Sequence, residues 1–179
     1  LASGTGSEAV NRGSITTSGD LATGMAAYGG ASATNAVSGD IATTGDGAHG
    51  MSAYGNDSTA TNRGAITTTG LGAYGMMAMV GDARALNEGT ITTSGERGYG
   101  MLADGGDALA VNRGAITTSG SEGHGMVALN GAESRNADGG TITTSGPGAY
   151  GMSAAANARV VNAGTITTSG AGSHGMSAM

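Results

Sequence analysis

The fold that this sequence predicts is a right-handed parallel β-helix of about seven rungs, each of about 25 residues. Three observations predict it: a strict long period, columns of one residue type at fixed places in that period, and length changes confined to gaps between columns. Ile-Thr-Thr-Ser-Gly, or a near copy, recurs at Ile15, Ile41, Ile66, Ile91, Ile116, Ile142 and Ile166, in steps of 26, 25, 25, 25, 26 and 24 residues. Ten residues after each Ile comes a Met: Met25, Met51, Met76, Met101, Met126, Met152 and Met176. A third column holds Asn11, Asn35, Asn62, Asn87, Asn112, Asn136 and Asn162.

Each period reads as three short strands. The first is small-x-Asn, as in Ala85-Leu86-Asn87, and the second is Gly-x-Ile-Thr-Thr, with Gly39, Gly64 and Gly89 two before their Ile. The third is Gly-Met-x-Ala, as in Gly100-Met101-Leu102-Ala103. Strand alternation sends the Ile, the second Thr, the Met and the Ala inward, and the first Thr, the Ser and the residue after Met outward. The second and sixth repeats carry two extra residues between Asn and Ile (Asn35 to Ile41, Asn136 to Ile142). Insertions belong in turns rather than strands, so the turn lies there. A period of 25 does not suit the six-residue coil of left-handed helices, and parallel strand crossovers are right-handed by default.

Composition alone points elsewhere. Gly is 37 of 179 residues, and Phe, Trp and Cys are absent. Yet the net charge is only −6 and the apolar residues are in register, so the pattern outweighs the disorder-like composition. A solenoid manages with small side chains because each rung buries its inner face on its neighbours. Basic residues are seven Arg against thirteen acids, which argues against nucleic acid as a partner. No run of apolar residues is long enough for a membrane-spanning helix. Both ends align within a repeat, Leu1 to Asn11 on Leu102 to Asn112, so residues 1–179 read as one solenoid segment cut mid-repeat from a longer array, with open ends disposed to stack end to end.

The phrases NRGAITTSGSEGHGMVA and NAGTITTSGAGSHGMSA resemble repeats in the passenger domains of Gram-negative autotransporters and related β-helical surface adhesins. That resemblance implies a segment of an exported protein at the bacterial surface, acting as a rigid stalk and adhesive face. Its implied partners are a surface glycan or protein of host or bacterium, or a second copy. A stalk beneath an enzyme domain elsewhere in the parent chain is the alternative within the same family.

Candidate sites are few. Two residues before each Met stand Thr23, His49, Tyr74, Tyr99, His124, Tyr150 and His174, an aromatic column that suits a sugar or protein partner, or simply stacks. Asp57, Asp82 and Asp107 lie six after Met in successive rungs, where calcium would relieve their repulsion or solvent would screen it. Thr16, Thr67, Thr92, Thr117, Thr143 and Thr167, beside Ser18, Thr44, Thr69, Ser94, Ser119, Ser145 and Ser169, make two hydroxyl ranks similar to ice-binding faces, interrupted at Ala42. No clustered acid pair, Ser-His-Asp order or nucleophile elbow is present, so no catalytic residue and no cofactor are assigned.

Overall fold

The computed structural model describes residues 1–179 and contains strands and turns only. Its three sheets are wholly parallel, one strand per sheet per rung. The rung from Met76 shows the plan: Met76–Met79 in the first sheet, Arg84–Asn87 in the second, Thr90–Thr93 in the third. We call these the Met, Asn and Ile sheets after the columns they carry. The Met sheet has eight strands and the other two have seven each. Register is unbroken, for example Ile91 on Ile66 and Ile116, Met76 on Met51 and Met101, and Asn87 on Asn62 and Asn112.

The core is a narrow column of Ile, Met and Ala, and it contains no aromatic ring. Ile41 through Ile142 and Met51 through Met152 are at most 2 % exposed. The β-branched Ile meets a column of glycines. A Cβ on Gly75 would run into Cγ2 of Ile91 and lie 2.7 Å from the Gly100 carbonyl oxygen, and Gly50, Gly100, Gly125 and Gly151 are placed alike. Any side chain before Met would therefore push the Met strand off the Ile of its own rung. This is why Gly-Met recurs as a unit.

Polar side chains inside the rod satisfy one another. Each Asn carboxamide donates from Nδ2 to Oδ1 of the Asn in the next rung at 2.8–2.9 Å, in six consecutive links from Asn11 to Asn162. The same nitrogen reaches the carbonyl of the glycine that closes its own turn, Gly64 for Asn62 and Gly39 for Asn35. The two-residue insertions thus leave the ladder intact: the longer turn closes by Gly39 N–H on Ala36 O, or Gly140 N–H on Ala137 O, and returns the glycine to the same place. The second Thr of each motif points in, and its hydroxyl donates to the carbonyl five residues on, as Thr43 does to Ala48 and Thr93 to Gly98. No buried side-chain nitrogen or oxygen lacks a partner.

One facing expectation fails. The residue after Met, placed outside by alternation, is buried at Ala26, Ser52, Leu102, Val127 and Ser153, with only Met77 partly open among the inner rungs. Strand alternation specifies direction, while exposure depends on neighbours. This column has copies above and below, the aromatic column three residues before it, and Tyr28, Tyr54, Met79 and Leu129 two residues after it, so short side chains there are shaded from water.

Candidate functional site

The aromatic column forms at the corner where the chain enters the Met sheet. Its residues leave the turn that follows the Ile strand, and cross-rung pairing of the next two residues (Gly50 N–H to Tyr74 O, Met51 N–H to Gly75 O) holds the corners in phase. The rings stack along the rod axis. Centroids are 4.7 Å apart for His49 and Tyr74, 4.9 Å for Tyr74 and Tyr99, 5.1 Å for Tyr99 and His124, and 4.9 Å for His124 and Tyr150, with interplanar angles of 4–16°. His174 is tilted by 42° on Tyr150. The strand spacing of about 4.8 Å sets this distance, so the rings lie offset rather than in closest contact.

The column bonds to the backbone as well. Tyr74 N–H donates to Nδ1 of His49 at 3.1 Å, and Tyr150 N–H donates to Nδ1 of His124 at 2.9 Å. A ring nitrogen that accepts must be unprotonated, so both histidines are neutral and carry their proton on Nε2. Burial pushes both below the ordinary His value, with Glu122 partly opposing the shift at His124. A folded-state value below the unfolded one means that the stabilisation is present above about pH 6.5 and is lost as pH falls through the folded values. Melting temperature is therefore expected to drop between pH 7.5 and 5, and the double variant His49→Tyr, His124→Tyr should flatten that dependence. An equally steep profile in the double variant would contradict the assignment.

The other sequence-level candidates separate. Asp57, Asp82 and Asp107 sit on one turn, where the Asp82 carboxylate accepts the Asp57 backbone N–H at 2.6 Å. Asp20 and Asp46 act alike toward the N–H groups of Asp46 and Leu71. The Asp20, Asp46 and Asp82 carboxylates cap turns, and no group of three or more His, Cys, Asp or Glu side chains is placed to hold a metal ion. The outer Thr of the Ile sheet are exposed and in register, Thr67 on Thr92 on Thr117 on Thr143 on Thr167, with the Ser rank exposed beside them. They form a flat hydroxyl face.

Sequence reading missed the outer face of the Asn sheet. Six of the seven arginines, all but Arg97, lie on its strands or directly after its Asn, together with only three acids, Glu8, Glu88 and Glu133. That face is net positive in a chain of net charge −6. Arg63 and Glu88 pair at 2.9 Å and Arg135 and the half-buried Glu133 at 2.7 Å. The signal was hidden because the arginines alternate among three places in the repeat and never make a column.

The family model described as BigA third pectate lyase-like domain matches residues 1–139. The chain belongs to that family. Membership together with the three-sheet solenoid fits the passenger-domain β-helical repeats that the sequence resembles. No curated protein and no solved structure gives a significant match. For a BigA-type pectate lyase-like domain the question becomes whether any face carries chemistry. His49 and His124 on one corner, and Asp20, Asp46 and Asp82 on turns, are hydrogen-bonded into neighbouring rungs.

Proposed function

We propose that the chain serves as a non-catalytic stalk and interaction surface of an exported bacterial surface protein. The observation that carries this reading is the use of reactive residue types as structural ties: Asn, His and Asp side chains are bonded from rung to rung and the inner Thr hydroxyls close their own turns, which stiffens a rod. A rod of this kind is close to additive in its repeats, so length is adjustable without loss of the faces it presents. Family membership supports the surface location. The exposed hydroxyl face and the arginine-rich face supply surface for contact.

The test is display of the chain on bacteria, alongside a variant lacking one period, Ile15 through Asp40, which joins Ser14 to Ile41, removes Tyr28 and spares the stacked rings from His49 to His174 and the arginine-rich groove. Cells displaying either chain at matched levels should attach to cultured epithelial cells equally and above undecorated cells. Attachment at background would overturn the adhesive role. Loss confined to the shortened chain, with its β-sheet spectrum intact, would overturn the spacer role.

A further inference from the structure

On the outer face of the Asn sheet lies a groove of about 460 Å³, floored by Leu86, Leu109 and Val111 and bounded by Arg84, Arg113 and Arg135. We infer that this groove is a docking site for an acidic protein segment, one that seats an apolar side chain on the floor and places carboxylates on the arginines. The register builds the site from three rungs: Leu86 stands beside Val111, Arg84 beside Leu109, and Val111 beside Arg135. The aliphatic residues are contiguous and half-exposed on a strand face where the other rungs carry Thr, Ser or charged side chains or end in Val10 and Val161. Arg84 and Arg135 sit two rungs apart, on the order of 10 Å, and acids two places before and after a seated apolar residue of an extended peptide share its face roughly 13 Å apart, within reach of long arginine side chains.

Two of the three guanidinium groups are open to a new partner. Arg84 makes no ion pair, and Arg113 reaches Glu88 only at 3.9 Å, with 58 % of its side chain exposed. Arg135 already holds Glu133 through two N–H groups, at 2.7 and 3.0 Å, so an incoming carboxylate falls first to Arg84 and Arg113. A guanidinium prefers a carboxylate it can hold through two N–H groups. The floor decides the class of partner. It has no aromatic ring on which a sugar would stack, since the stacked column stands at the other edge of the Met sheet and Tyr28 and Tyr54 belong to earlier rungs, and sugar hydroxyls set on Leu and Val would lose hydrogen bonds to water. An apolar side chain between acids loses nothing there.

Fluorescence anisotropy on the purified chain tests this with three labelled probes: a short Glu–Leu peptide in which one Leu is flanked by two Glu on each side, its Lys-for-Glu counterpart, and an oligogalacturonate of similar charge. The Glu–Leu peptide should bind saturably and the Lys–Leu peptide should not. Binding should weaken about tenfold or more in Arg84→Glu and in Leu109→Ser, weaken with added salt, and stay unchanged in Arg97→Glu, which lies off the groove. Absence of saturable binding, equal binding by Arg84→Glu, or tighter binding of the oligogalacturonate with the same mutational pattern would each overturn the assignment. Because these readouts use soluble protein, they do not depend on the outcome of the attachment assay.

Discussion

Ile91→Asp should unfold the central rungs, whereas Thr92→Asp, one residue along the same strand, should be nearly silent. Ile91 is 1 % exposed, lies between Ile66 and Ile116, and rests its Cγ2 against the Gly75 position. Removing its aliphatic side chain costs about 2–5 kcal/mol by itself. The carboxylate that replaces it has no donor within the apolar ladder, so the total should be roughly 5 kcal/mol or more. Thr92 is exposed between Thr67 and Thr117, and an acid there has open solvent, so the change should stay within about 0.5 kcal/mol. Urea melts followed by circular dichroism compare the two directly. Equal midpoints would mean that the inner and outer faces of the Ile sheet are misassigned.

Asn87→Asp should also be severely destabilising although it changes no volume. The amide ladder has a direction: Asn87 accepts from Asn62 through Oδ1 and donates through Nδ2 to Asn112, both at 2.8 Å. A carboxylate satisfies Asn62 but turns an acceptor toward the Asn112 oxygen, in a position with no solvent exposure. One lost donor, one orphaned acceptor and a buried charge together cost on the order of 3–5 kcal/mol at neutral pH. The sign with pH is defined. Burial raises the folded value of such a carboxyl above its unfolded one, so the penalty is full at high pH and shrinks as pH falls, when the protonated acid regains an O–H donor for Asn112. Chemical denaturation of parent and variant at the same pH, across a series, should show their difference narrowing below about pH 5. A difference that widens with acid would contradict the directional ladder.

How much of this was legible depended on whether a requirement repeats as one residue type. The Ile, Met and Asn columns were readable because each place in the cross-section accepts one shape, and the insertions after Asn35 and Asn136 were readable as turns for the same reason. The turn after the Ile strand was harder. Its residue six after Ile has positive φ in every rung, but Gly47, Gly72, Gly148 and Gly172 share the place with Leu21, Arg97 and Glu122, at 59°, 55° and 53°. A short exposed turn tolerates the left-handed strain of a side chain there, so the glycine signal is diluted. Shading of Ser52 and Leu102 depends on the heights of neighbouring columns, which no period reports. The aromatic column was readable as a stack, while the acceptor role of His49 and His124 was not, because it rests on the backbone N–H of the following rung. The groove was missed because Leu86, Leu109 and Val111 come together through register across two rungs, and neither leucine recurs at its place in the repeat.

The central claim is that one sequence period makes one structural rung that adds its length and little else. Small-angle X-ray scattering of the chain and of the variant lacking Ile15 through Asp40 tests it most directly. The account predicts a rod with an unchanged cross-sectional radius of gyration and a maximum dimension shorter by about 4.8 Å, one strand spacing. A thicker particle, or a collapse to a compact or unfolded shape on removing that single period, would contradict it.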